Sequence, residues 1–247
     1  MVRNSPQRPE NCLGRWETGV LSKFMRLFAL NKAVFRISGN AERFLNGLTS
    51  NTLDKPRNAF LNQHGRIIAT FDQVRTGADE FLIIIEPFAV DALTLHIKKF
   101  LMLNKTTAEQ ASFNVYFDLD GSFKPSAEEY VIPQRAGQMI IARQKLQANV
   151  SDEDFVLFRL ENSIPMHGVD YTDELLLNVD EYEHVSYTKG CFLGQEPIAK
   201  VHNRSKPTWK LVARPEDELT EDERIKMTSK ITDPRSGKTM GFVCVKN

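Results

Sequence analysis

The chain has 247 residues, 41% of them hydrophobic and 26% charged, which is enough to bury a sizeable core in more than one subdomain of a folded protein. Lys+Arg and Asp+Glu both number 32, so the net charge is zero, which argues against a dedicated nucleic-acid or anionic-membrane surface. The cysteines Cys12, Cys191 and Cys244 are odd in number, widely spaced and form no CxxC pair, which argues against a disulfide framework or a self-contained metal cage and for a reducing compartment.

Residues 1–20 are polar, aperiodic and contain Pro6 and Pro9, and they read as a flexible arm. They lack an apolar signal core, and Glu10 and Glu17 suit a transit peptide poorly. Residues 32–38 read as a strand, after which Gly39 and Asn40 open a helix. Ala41, Phe44, Leu45 and Leu48 form its buried face at i, i+3, i+4 and i+7. A hairpin follows, with strands over 58–62 and 66–75 and a turn at 63–65.

Residues 81–86 are a strongly apolar strand, and their apolar run is too short to span a bilayer. The next helix, about 90–103, turns Val90, Leu93, Ile97 and Leu101 inward. Ala111, Phe113, Val115 and Phe117 alternate with Ser112, Asn114, Tyr116 and Asp118, predicting a half-buried strand. Residues 139–142 are another short strand. Residues 155–161 lead to Pro165, which ends any helix there. An acidic, irregular stretch spans 170–183.

Strands at 209–213, 227–232 and 240–245 form a small C-terminal β module, with the acid clusters 216–218 and 221–223 as solvated turns. Strands, antiparallel turns and interspersed helices predict an α+β architecture rather than a regular βαβ array. The expected organisation is the arm over 1–20, an α+β region of two intertwined subdomains over 21–203, and the β module over 204–247.

Residues 189–196, Lys-Gly-Cys-Phe-Leu-Gly-Gln-Glu, carry the densest chemistry. Gly190 and Gly194 allow a tight, exposed backbone excursion around Cys191, and Lys189 supplies a cation that favours the thiolate. A helix beginning at Gln195, with Pro197 in its first turn, would set a positive terminus nearby. One thiolate cannot hold an iron–sulfur cluster alone, so cluster chemistry here would need ligands from a partner or small molecule. His167, His184 and His202 lack any protease-like context, which disfavours a Cys–His nucleophile.

The 189–196 segment resembles the K-G-C-[FY]-x-G-Q-E motif of the folate-binding YgfZ/Iba57 family of iron–sulfur protein maturation factors. Residues 37–51 resemble that family's opening G-x-D-A…F-L-x-x-x-x-T-x-D/N segment. Residues 62–67 resemble its D-x-x-G-R hairpin, and 159–165 its R-x-E-x-G-I-P stretch. The resemblance covers about residues 30–245. It implies the fold of the aminomethyltransferase (T-protein) of glycine cleavage, a ring of three subdomains around a central folate-sized hole.

By resemblance the cofactor is tetrahydrofolate or a derivative. Glu161 would read the pteridine N–H edge, since a carboxylate can accept two parallel hydrogen bonds. Gly190, Phe192, Gly194, Gln195, Glu196 and Lys200 are the other expected cofactor-site residues, Cys191 and Lys189 the reactive pair. No residues are assigned to a resident metal. The chain departs from the pattern at Lys200, where the family has arginine, at Ser163, which replaces the glycine before Ile-Pro, and in its short C-terminal module.

The aminomethyltransferases also carry an aspartate on the strand after the hairpin. Residues 66–70 contain no acid, and Asp72 would need an even shift of register to take its place. Ordinary aminomethyl transfer is disfavoured on that ground. The leading expectation is a folate-binding accessory protein supporting assembly or repair of iron–sulfur clusters in client enzymes, with tRNA modification affected indirectly. The alternatives are a tetrahydrofolate-dependent aminomethyl or one-carbon transferase, and a ligand-binding interaction module. Expected partners are folate and, transiently, iron–sulfur client or assembly proteins, without direct nucleic-acid or membrane contact. The expected location is the cytoplasm, or the mitochondrial matrix in a eukaryote.

Overall fold

The computed structural model describes residues 25–180, 182–204 and 206–247. The arm expected over 1–20, and Cys12 with it, lies outside the described residues. The chain runs β1 (Leu27–Leu30), β2 (Ala33–Ser38), α1 (Ala41–Leu48), β3 (Arg57–Leu61), β4 (Ile67–Gly77), β5 (Glu80–Ile85) and α2 (Val90–Asn104). It continues through β6 (Thr107–Gln110), β7 (Asn114–Asp118), β8 (Glu129–Pro133), β9 (Gln138–Ala142), α3 (Asp152–Glu161), α4 (Leu176–Val179) and α5 (Gln195–Arg204). It closes with β10 (Trp209–Pro215), α6 (Glu221–Ile225), β11 (Thr228–Thr232) and β12 (Thr239–Lys246). The α+β reading holds, and the strands form three sheets, ordered β3-β4-β5-β2-β6, β1-β7-β9-β8 and β10-β12-β11.

β5 shows why the apolar run at 81–85 is continuous rather than alternating. Phe81, Ile83 and Ile85 face α1 and α2, meeting Phe44, Leu45, Leu93 and Ile97 in one core. Leu82 and Ile84 face the four-stranded sheet, where they meet Val115, Ile132, Met139 and Ile141. A strand covered on both faces needs apolar residues at every position. Burial of each of these side chains contributes about 1.5–3 kcal/mol.

The expected alternation over 111–118 is corrected by the same layering. Only Asn114–Asp118 is strand, and both of its faces are buried. Tyr116 packs with Leu27, Ile140 and Ala142. Asp118 is fully buried because its carboxylate accepts from the backbone N–H groups of Asp120, Ser122 and Phe123 and from Gln138 Nε2. A polar residue saturated in this way sits inside at little cost. β1 and β8 are short, and β6 is a polar edge strand, so none of them has the periodicity that a sequence reading requires.

α3 starts at Ser151, whose side chain accepts from the Asp154 N–H at 3.1 Å, with three acidic residues in the first turn. It ends at Ser163, which has φ +52, while the Ile164 N–H returns to the Arg159 carbonyl at 2.8 Å. A left-handed residue at that place is what a helix C-terminal cap demands. This is the physical reason for the glycine that the sequence pattern has there. The C-terminal sheet shares its core with the rest of the chain, since Leu211 and Phe242 pack in one cluster with Leu61, Ile67, Leu176 and Phe192.

Candidate functional site

A cavity of about 80 Å³ lies between the four-stranded and five-stranded sheets and the 159–184 segment. Its apolar wall includes Phe71, Ile84, Phe117, Met139 and Phe155. Its charges balance: Lys32, Arg57 and Arg159 line it together with Asp72, Glu86 and Asp180. Lys32 pairs with Glu86, and Arg57 bonds to Glu183 and Gln134.

β4 brings Thr70 and Asp72 to this cavity, two residues apart on one strand. Thr70 Oγ1 is 2.8 Å from the Tyr171 hydroxyl. Asp72 Oδ1 accepts from Gln134 Nε2 at 2.8 Å and stands 3.8 Å from Arg57 Nε. Residues 66–70 hold no acid, but Asp72, two positions further along β4, lines the cavity.

Arg159 and Asp170 form a fully buried pair at 2.7 Å. Asp170 also accepts from the Met166 N–H, Thr228 Oγ1 and Ser229 Oγ, at 2.8, 2.9 and 2.6 Å. This network ties α3 and the following loop to β11 of the C-terminal sheet.

His167 lines the cavity at 4% exposure. Burial pushes its pKa down to about 4; the Thr172 carbonyl opposes the shift, and the positive charge of Lys32 adds to it. Unfolded, it would titrate near 6.5. Between pH 6.5 and 4 the unfolded chain therefore binds a proton that the folded chain refuses, and stability falls as pH falls through that window. In urea denaturation at pH 7 and pH 5, His167→Phe should remove about 2 kcal/mol of the acid-side loss.

The thiol loop is held against the hairpin and α1. Phe192 is buried in the core shared with the C-terminal sheet, and Leu193 packs against the α1–α2 core. The Leu193 N–H donates to the Gly47 carbonyl at 3.2 Å. Cys191, immediately before these anchors, is exposed and free. Gly194 has φ +86, and a Cβ there would lie 2.5 Å from the Asn62 carbonyl oxygen. Gly190 has open space around it. Of the two glycines, only Gly194 is required by geometry.

Lys189 is directed at backbone carbonyls. Its Nζ donates to Thr49 O at 2.6 Å and Asn51 O at 2.8 Å, and lies 5.2 Å from the centre of the Phe192 ring. Burial lowers its pKa to about 8. α5 begins at Gln195 with Pro197 in its first turn, as the sequence suggests, and Cys191 precedes that turn.

None of Glu161, Gly190, Phe192, Gly194, Gln195, Glu196 and Lys200 lines the cavity. Glu161 is exposed and paired with Arg235. The reason is helical geometry: residues two apart on α3 point to opposite sides, so Arg159 faces in and Glu161 faces out. The cavity is built instead by Arg57, Asp72, His167, Tyr171, Asp180 and His184, which no local motif joins in sequence. Among the described residues, no group of three or more His, Cys, Asp or Glu is placed to hold a metal ion. No described helix is long and apolar enough to cross a membrane.

No protein-family model matches the chain. In fold it is similar to the glycine cleavage system aminomethyltransferase T from Bartonella henselae, with a TM-score of 0.69 over 89% of this chain and 78% of that one, at 13% identity. In sequence it is 22% identical to the mitochondrial iron–sulfur cluster assembly factor IBA57 homolog of Dictyostelium discoideum, over 70% of this chain and 58% of the relative. The chain resembles the IBA57 assembly factors. The corresponding IBA57 homolog of Mycosarcoma maydis, also mitochondrial, is 25% identical over 70% of this chain and 52% of its own length. The chain thus spans little more than half the length of the IBA57 relatives it matches. The two likenesses agree with the family and the T-protein fold expected from the 189–196 motif.

Proposed function

We propose that this protein is a folate-binding accessory factor that supports assembly or repair of iron–sulfur clusters in client enzymes, with Cys191 as its reactive thiol or transient ligand. The observation that carries this reading is the pairing of an anchored, exposed thiol with a separate charge-balanced cavity. Anchoring Phe192 and Leu193 in two cores fixes where Cys191 is presented, so a partner meets it without first ordering the loop. The likeness to IBA57 factors supplies the cargo. One thiolate leaves the remaining cluster ligands to the partner.

The lining of the cavity supports this reading. Aromatic and aliphatic walls take a flat heterocycle, and matched charges favour a neutral one. When bound, tetrahydrofolate would supply one-carbon carrier chemistry. Phe117, Phe155 and Met139 would flank its ring, and Asp72 would accept from its edge. Isothermal calorimetry with tetrahydrofolate tests the reading. Single-site binding is expected, and no detectable heat from folded protein would leave an interaction module that uses no folate.

Asp72 in the cavity gives aminomethyl transfer a specific footing as a second reading. That reading requires turnover of tetrahydrofolate with an aminomethyl donor that survives replacement of Cys191. Effects on tRNA modification would be indirect, through cluster-containing modifying enzymes. The compartment would be the mitochondrial matrix in a eukaryote, as for the relatives, and the cytoplasm in a bacterium.

A further inference from the structure

Helix α2 carries apolar side chains on two sides, and one side has no cover. Leu93 and Ile97 are buried in the core shared with α1 and the five-stranded sheet. On the outer side Leu95 and Met102 are 79% and 78% exposed, and Leu103 beside them is 78% exposed. Leu95 and Met102 are seven residues apart, which is two turns, so they lie in one row along the helix. Phe88 is 53% exposed in the turn Pro87–Ala89 that leads into α2. It lies seven residues before Leu95 and extends the row to about 20 Å. Single exposed apolar residues are ordinary, but a helix that repeats them at the spacing of one face has a second surface to bury.

The row is symmetric about Leu95, and the charges beside it are placed to match. Asp91 stands one turn before Leu95 and Lys98 one turn after, and both are exposed. At 3.6 residues per turn they sit about 40° and about 60° round from Leu95 on the same flank. Among the described residues, the lysines that form ion pairs are Lys32 and Lys230, and Asp91 and Lys98 belong to none. A second copy laid antiparallel across Leu95 sets Phe88 of each copy over Met102 of the other. The same two-fold axis brings Asp91 of each copy beside Lys98 of the other. Lys99 falls on the opposite flank, facing Ala92 of the copy, so no lysine is set directly against its own counterpart. The face is its own complement.

We propose that this outer face of α2 is an interface at which two copies of the chain pair antiparallel about Leu95. The pairing uses neither the thiol nor folate and stands apart from the function proposed above. One helix on one helix is small against the roughly 1,200 Å² of a lasting interface. The dimer therefore forms and dissociates with concentration in the micromolar range.

Sedimentation velocity of the full chain over a series of concentrations tests the pairing. Reductant is present so that the exposed Cys191 forms no disulfide between copies. Thermal melts alongside check that each variant is folded, as expected for substitutions at exposed positions. Wild type should pass from monomer to dimer as concentration rises, and Leu95→Glu should stay monomeric throughout. Asp91→Lys and Lys98→Asp each set like charges together and should raise the dissociation constant about tenfold. The Asp91→Lys/Lys98→Asp double variant restores both pairs with their signs exchanged and should return to within about threefold of wild type. A wild type that stays monomeric overturns the proposal, and so does a dimer that Leu95→Glu leaves intact. A double variant as weak as the two single variants combined also overturns it, since Asp91 and Lys98 would not then meet.

Discussion

Asp170→Ala should cost about 3–5 kcal/mol of folding stability, read as a lower midpoint in urea or guanidinium denaturation. The carboxylate is fully buried and accepts four hydrogen bonds, one of them from the buried Arg159 guanidinium. Removing it strands a charge in the interior, leaves Ser229 Oγ on β11 without its acceptor, and leaves Thr228 Oγ1 only the longer bond to the Phe242 carbonyl. The penalty comes from the stranded charge more than from the lost pair. Replacing Arg159 by Met in the Asp170→Ala background should therefore recover part of the loss. A variant within 1 kcal/mol of wild type would mean that solvent reaches the site, contrary to the packing described.

Gly194→Ala should cost about 2–4 kcal/mol, and Gly190→Ala should stay within about 0.5 kcal/mol of wild type. At Gly194 a methyl would meet the Asn62 carbonyl oxygen at 2.5 Å, and the backbone holds a positive φ of 86°. Backbone cannot yield as a side chain would, so relief requires the loop to leave the hairpin. That would pull Phe192 from the shared core and loosen the register of Cys191. Gly190 meets nothing within 4 Å and has no such φ. The measurement is a denaturation curve for each variant, with labelling of Cys191 by a thiol reagent as the local readout. Faster labelling in the Gly194 variant alone would show that the loop has been released.

Much of the fold could be read from periodicity. The buried faces of α1 and α2 follow from spacing, β5 from its continuous apolar run, the hairpin from its turn between two strands, and the three C-terminal strands lie where expected. β7 misled because Asp118 is buried for its hydrogen bonds, and polarity alone reads as exposure. The thiol loop was also legible, since Gly-Cys and Gly-Gln-Glu sit together in sequence. The cavity was not. Arg57, Asp72, His167 and His184 come from three separate stretches, and only the layering of the two larger sheets brings them together. Glu161, which the resemblance put at the ligand, lies outside this cavity, where the pitch of α3 turns it toward Arg235.

Cys191→Ala tests the central claim most directly. The residue is exposed, so the substitution should leave stability within about 0.5 kcal/mol and tetrahydrofolate affinity unchanged. Cells lacking the wild-type protein, supplied with the Cys191→Ala form, are assayed for the activity of their cluster-dependent enzymes. Activities that stay near the level of cells without the protein are the predicted result, and full recovery of those activities by the alanine form would contradict the role assigned to the thiol.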